Sequence, residues 1–493
     1  MRRTPRTRTN LATQTAAPFS RCLLCLCLVV FLAVGYACGG RNPKAMESAP
    51  AGHILVGYVW GFDDIGGIAI TPGLLNLLNE HFPDYQITTF GGSAEARSFI
   101  LDLFPDCTAF EDRFRGTAYR EALSEARKHF RGRLPPLDES VADYALGPFT
   151  DDLVAALRRS SPEFMEAVER SDLLILPSGM MLNYGKSTLA GTDFWGETVR
   201  LSLPLMVARK LGVPYGLYGQ SFTAFEGPGA VRFFKTLLED ARFVTCRDGD
   251  SLNYIRSLGI EPPGLMFVPD STFSFGRRDD AWAERFLAEN GLETHEFLVV
   301  IPRTWPRNSR ITELIGKKRS EMHTRKLRRI IADWVHRTGM KVLIAPETRG
   351  QEVNSRHQIY EPLPPDVKSR CVNLDEFWIS DQAAAVFRRA RMLLTMEQHS
   401  FLLAIPEATP TVVAISAESG RKRWMLRDFG LPECLFDIDA DPVAEIEKAL
   451  YHIHENYEAE RRRLETGVIP RMRAIERRQM ELIAEALQAG RRR

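Results

Sequence analysis

The stretch ILVGYVWGFDDIGGIAITPGLLNLL, residues 54–78, decides the fold. Ile54 to Tyr58 is a short apolar run, the glycines at 57, 61, 66 and 67 make a turn, and the apolar residues through Leu78 recur at helical spacing. A buried strand that feeds a helix through a glycine turn opens a parallel βαβ unit. The pattern then repeats. Residues 86–89, 173–176, 215–218, 243–245 and 266–268 read as further strands separated by helix-length segments, while 93–150 shows charged helical stretches of uncertain order. A second series starts at Phe297-Leu-Val-Val-Ile301 and continues at 342–344, 392–394 and 412–415, with helical patterns near 323–338, 380–390 and 398–406. Continuous apolar strands alternating with helices indicate parallel sheets covered on both faces. The expected fold is α/β: two Rossmann-like, doubly wound domains over 52–276 and 285–440, a cleft between them, and one long C-terminal helix with a basic tail over 441–493.

Composition agrees. The chain of 493 residues has 64 Lys plus Arg against 63 Asp plus Glu, 44% hydrophobic and 26% charged residues. That is ordinary globular usage, which excludes a disordered chain and a strongly basic nucleic-acid binder. Arg2, Arg3, Arg6, Arg8 and Arg21 precede the apolar run Cys22 to Ala37, and no acid lies among residues 1–37. A basic n-region and a short h-region predict a signal peptide or membrane anchor. Cys38-Gly39-Gly40 resembles a lipoprotein cleavage site, and 38–51 reads as a tether. The expected location is membrane-associated and exported. Without its leader the protein is mildly acidic. Cys107, Cys246, Cys371 and Cys434 are far apart, so neither a structural metal nor a cofactor is implied.

In doubly wound sheets, ligands bind beyond the carboxyl ends of the strands. The loops that follow the strands are therefore the places to look for chemistry. After the 215–218 strand, Gln220, Ser221 and Thr223 offer uncharged hydrogen bonds that suit a hydroxyl-rich ligand. Ser178-Gly179-Met180 follows the 173–176 strand, Arg247 the 243–245 strand, and Arg303 the 297–301 strand. Asp248-Gly-Asp250 is formally a metal motif, although helix capping accounts for it. A basic stretch holds Arg307, Arg310, Lys317, Lys318, Arg319, Arg325 and Lys326. His399 in Met396-Glu-Gln-His-Ser400 follows a strand and opens a helix, and Arg421, Lys422 and Arg423 follow the last strand.

Taken in order, these pieces resemble the polysaccharide pyruvyl transferase family over residues 55–437. The resemblance is carried by Ala241 to Leu252 with Leu258-Gly-Ile260, by Val268-Pro-Asp-Ser-Thr-Phe-Ser274, by Val299 to Trp305, by Ala190 to Gln220, and by Met392 to Ile405 followed by Pro410-Thr-Val-Val413. The sequence departs from the family pattern at three places. Asp64-Ile-Gly66-Gly67 stands for the family's N-x-G-D, Ser178-Gly179-Met180 for a glycine triplet, and Glu397 for an arginine two residues before the histidine.

The resemblance implies a GT-B-like pair of domains that bind phosphoenolpyruvate in their cleft and install its pyruvyl group as a ketal across two hydroxyls of a glycan or glycolipid. It implies His399 as general acid/base and Arg247 and Arg303 as the anion clamp, with Lys422 a weaker candidate. Gly179, Gln220, Ser221 and Glu397 are expected around the substrates. Asp270 would orient His399 or take a hydroxyl proton. Glu397 should weaken binding of a doubly charged donor unless Arg421, Lys422 or Arg423 re-wires the site. The other readings are a GT-B-type glycosyltransferase and a catalytically silent exported glycan-binding protein.

Overall fold

The structure, a computed structural model, describes residues 50–112, 116–186, 188, 191–306 and 316–490. The leader, Cys38, Ala190, Arg307, Arg310 and the terminal arginines lie outside the described residues. Two sheets form the frame, and every strand pairing in them is parallel. The first has seven strands: β1 (Gly52–Val59), β2 (Tyr85–Gly91), β3 (Thr108–Phe110), β4 (Leu173–Leu176), β5 (Tyr215–Gln220), β6 (Phe243–Cys246) and β7 (Met266–Phe267). Their order across the sheet is β3-β2-β1-β4-β5-β6-β7. The second has six: β8 (Phe297–Ile301), β9 (Lys341–Ile344), β10 (Cys371–Asn373), β11 (Met392–Thr395), β12 (Thr411–Ile415) and β13 (Leu435–Asp437), in the order β10-β9-β8-β11-β12-β13. In each sheet the order reverses beside the first strand, between β1 and β4 and between β8 and β11. Successive loops diverge at such a point and leave a crevice.

Both faces of each sheet are covered, which is why the strands read as unbroken apolar runs. Leu55 packs with Phe90, Leu174 and Leu217 on one side of the first sheet. Ile54 and Val56 pack with Leu74, Leu78 and Ile175 on the other. In the second sheet Leu298 and Val300 meet Ile331 and Trp334, while Phe297, Val299 and Ile301 meet Phe387 and Leu403.

The helix Ile65–His81 is apolar on all sides, and a helix of that kind belongs inside a core. Its Ile68, Leu74 and Leu78 face the first sheet. Its Ile65 and Ala69 enter the core of the second domain beside Ala385 and Leu403. Gly73 lets it approach the 3₁₀ turn Ser271–Ser274, for a Cβ there would lie 1.8 Å from the Ser271 carbonyl oxygen. The helix is thus a shared wedge that fixes the loop after β1 against the second domain.

The single long C-terminal helix expected from sequence is interrupted. Val443–Glu455 lies on the second domain beside the helix Lys317–Thr338, and the helix ends at Asn456. Tyr457–Arg463 then runs through a π turn, Leu464–Val468, into Ile469–Gly490. That last helix crosses back to the first sheet, where Met480, Ile483 and Leu487 pack with Ile54 and Ile175. The 93–150 region, hard to read from sequence, holds the helices Ala94–Leu103, Thr117–His129, Glu139–Leu146 and the start of Pro148–Ser160, plus β3. No described helix is long and apolar enough to cross a membrane.

Candidate active site

Every candidate residue stands at or just beyond the carboxyl end of a strand. Asp64 and Gly66 follow β1, Gly179 follows β4, and Gln220 closes β5 with Ser221 next to it. Arg247 follows β6, Asp270 β7, Arg303 β8, Glu347 β9, Glu397 and His399 β11, and Lys422 β12. Contacts between loops of the two domains bring these residues together. The Ile65 amide donates to the Glu347 carbonyl at 3.0 Å, and the Arg349 amide to the Asp63 carbonyl at 2.7 Å.

His399 is the second residue of the helix Gln398–Ala404. Its Nδ1 lies 3.2 Å from Glu347 Oε1 and 3.7 Å from Asp64 Oδ1. Glu347 is itself fixed: its Oε2 accepts from the Ser400 amide at 2.8 Å and the Ser400 hydroxyl at 2.6 Å. The imidazole lies against Gly66, where an added Cβ would come within 2.0 Å of the ring. Nε2 is buried and has no hydrogen-bond partner among the described residues. Burial alone would push the imidazole pKa down. The Glu347 hydrogen bond and charge, helped by Asp64 and Asp270, outweigh burial and hold it above its ordinary value. Burial likewise opposes ionisation of Glu347, and the His399 and Ser400 partners reverse that, leaving its carboxyl below its ordinary value.

The cations gather beside this pair. Arg247 is 3% exposed, donates from Nε to Ser221 Oγ at 2.9 Å and from Nη1 to Asp270 Oδ2 at 2.5 Å. Asp270 also accepts from the Thr272 amide. Burial opposes its charge, and Arg247, with His399 and these hydrogen bonds, holds its carboxyl below the ordinary range. Asp270 therefore orients Arg247 and adds negative charge near His399. Arg303 donates from Nη1 to Ser419 Oγ at 2.6 Å, and its buried Nε has no hydrogen bond. Of the three cations after β12, Arg421 donates to the Thr223 carbonyl and lies over the Tyr254 ring at 4.2 Å. Arg423 stacks on Trp424 and faces Asp437. The Lys422 ammonium makes no hydrogen bond or ion pair to any described residue, although the Lys422 carbonyl accepts from the Met425 amide. Burial, then the charges of Arg247 and Arg303, lower its pKa to about 8.

Glu397 takes the arginine's place in this cluster. It is 6% exposed, accepts from Gln351 Nε2 at 3.1 Å, and its Oε1 lies 3.6 Å from Arg303 Nε. Burial raises its carboxyl pKa above the usual value, and the attractions of Arg303 and Lys422 only partly counter that.

Two other candidates act as scaffold. Gln220 is buried and donates to the Pro177 carbonyl at 2.5 Å. Gly179 lies under Trp60, where a Cβ would meet the indole at 2.4 Å, and its carbonyl accepts from the Ser221 amide at 2.7 Å. Ser221 spans Arg247 and Asp248, the latter at 2.6 Å. Asp248 caps the helix Gly249–Ser257 through the Ser251 amide, and Asp250 pairs with Arg427. In the basic stretch, Arg319 pairs with Glu418 and Asp439, and Lys326 donates to the Ile438 and Asp441 carbonyls. No group of three His, Cys, Asp or Glu side chains suited to a metal occurs among the described residues. Glu347 and Gln351 were missed from sequence. Glu347 stands three residues past β9, so the loop rule applied to the other strands reaches it as well.

Solved structures with the same architecture are remote in sequence. UDP-GlcNAc 2-epimerase from Neisseria meningitidis, bound to UDP-GlcNAc, is 11% identical with a TM-score of 0.50, over 88% of this chain and 100% of that one. Anabaena Alr3699/HepE in complex with UDP and glucose is 11% identical with a TM-score of 0.49, over 88% of this chain and 99% of that one. At such identities the likeness concerns the fold alone. It is the GT-B arrangement of two Rossmann-like domains. No curated protein matches the sequence. The family model described as polysaccharide pyruvyl transferase matches residues 64–417, a span that takes in the cleft loops from Asp64 to the start of the segment after β12. The chain therefore belongs to the polysaccharide pyruvyl transferase family.

Proposed function

We propose that the protein moves the pyruvyl group of phosphoenolpyruvate onto two hydroxyls of a glycan, forming a cyclic ketal and releasing phosphate. The observation that carries this reading is the cluster of Arg247, Arg303 and Lys422, which Asp270 and Glu347 link to a histidine held above its ordinary pKa. Two arginines and a lysine match a donor that presents both a carboxylate and a phosphate. The first step needs a proton on the enol methylene carbon. His399, protonated at both ring nitrogens, keeps Nδ1 on Glu347 and has Nε2–H free to supply it.

A glycan hydroxyl then bonds to the carbon that bears the phosphate and loses its proton. The carbon–oxygen bond to phosphate breaks, the arginines take up the charge of the leaving group, and a second hydroxyl closes the ketal on the same carbon, its proton returning to His399, which gave one to the methylene. Asp64, 3.7 Å from His399 Nδ1, capping its helix through the Gly67 amide and more exposed than Glu347, would accept a hydroxyl proton in this reading. Asp270 is withdrawn from that task by Arg247. Attachment to a membrane through residues 1–37 belongs to the same reading, since it would hold the cleft near a glycolipid. The test is phosphate release from phosphoenolpyruvate with a panel of glycan acceptors. His399→Ala should lower the rate by at least about 100-fold. An unchanged rate in that variant removes the role given to His399.

A further inference from the structure

Glu397 is an acid set into an anion site. It faces Arg303 from the loop after β8, Glu347 and Gln351 from the loop after β9, and Lys422 from the segment after β12. On its own loop, its amide donates to Thr395 Oγ1 and its carbonyl accepts from the same hydroxyl, so the backbone is pinned. Arg303 Nε is buried, without a hydrogen bond, and 3.6 Å from the Glu397 carboxylate. The guanidinium is thus attracted but not committed, and an arriving carboxylate or phosphate can take that N–H. Glu397 would then share its cation with a second anion in a site shielded from water. Two such anions do not both stay ionised.

We propose that Glu397 takes a proton from solvent as the anionic donor enters, which frees Arg303 for the donor and leaves a neutral carboxyl beside it. The proposal rests on the functional reading above and adds the regulation of that same site. Gln351 supports both states, because its Nε2 keeps donating to a carboxyl oxygen whether or not the group is protonated. Burial already lifts the Glu397 pKa, which makes the uptake easy. The sign follows. Between the pKa of Glu397 in the free cleft and its higher value in the loaded one, each donor bound takes up as much as one proton. Donor affinity there falls by as much as about tenfold per pH unit as pH rises. An arginine at this position would give no such dependence.

The experiment is calorimetric titration of phosphoenolpyruvate into the wild type and Glu397→Gln, each in two buffers of different ionisation heat. The titrations run over a series of pH values, because the donor phosphate, His399 and Lys422 also exchange protons, and the difference between wild type and variant across the series reports Glu397. The wild type should take up more protons than the variant, and Glu397→Gln should bind about tenfold tighter. Should the Gln variant not fold, Glu397→Met is also neutral and carries the same expectation. Donor binding with equal proton uptake in wild type and variant overturns the role of Glu397 and leaves the functional reading standing. Weaker binding by the neutral variants also overturns it. No binding by any of these proteins overturns the functional reading and this proposal with it.

Discussion

At the scale of single residues, Glu347 sets the state of His399. Burial is the largest influence on the imidazole and opposes its charge, and the Glu347 partner reverses the outcome. Glu347→Gln keeps the shape and removes the charge, so the His399 pKa should fall below its ordinary value. Titration of the His399 ring resonances by NMR checks this, and a pKa left above that value contradicts it. The sign extends to stability. A raised histidine contributes stability below its unfolded-state pKa and loses it as pH rises through the folded one. Asp270 and Glu347, both held down, contribute above the ordinary carboxylate pKa and lose it on acidification. The roles of His399, Arg247 and Arg303 came from a family resemblance together with their places at strand ends. The position of Glu347 past β9 was legible by the same loop rule, but its role was not, because that role comes from a partner 52 positions along the chain in a different loop.

Among the elements, the helix Ile65–His81 does the most to place the site. It carries Gly66 beneath the imidazole and Gly73 against the Ser271 carbonyl. Gly66→Ala should displace the ring, leaving the fold intact and lowering turnover by about 100-fold, a scale set by the loss of general acid/base catalysis. Circular dichroism beside the phosphate-release assay separates the two effects. Gly73→Ala meets backbone and not a yielding side chain, so overpacking should cost about 1–3 kcal/mol in thermal unfolding. The central strands β4, β8 and β12 were readable from sequence because covering on both faces makes them almost wholly apolar. The strands that escaped, β3, β10 and β13, are edge strands of three residues each, with little apolar pattern to show. The break at Asn456 escaped for another reason. Its flanks are equally helical in composition and pack in the same core, through Leu450 and Ile453 before the break and Leu464 and Val468 after it.

At the scale of the whole molecule, two straps join the domains around the cleft: the wedge helix and the final helix Ile469–Gly490. In the latter, Glu476 is buried and accepts from Ser274 Oγ at 2.5 Å and Arg473 at 2.9 Å, just past Asp270. Ile483 is fully buried in the first-domain core. Ile483→Ala should cost about 2–5 kcal/mol, read as a lower denaturant midpoint with an unchanged slope. The central claim is that the cleft between the domains is an anion site for phosphoenolpyruvate. Its most direct test is equilibrium binding of that compound by calorimetry to the wild type and to Arg247→Ala. The wild type should bind with one site, and Arg247→Ala should lose about 100-fold or more in affinity, in keeping with the loss of a buried, charge-assisted partner. No binding by the wild type, or equal binding by both proteins, would contradict it.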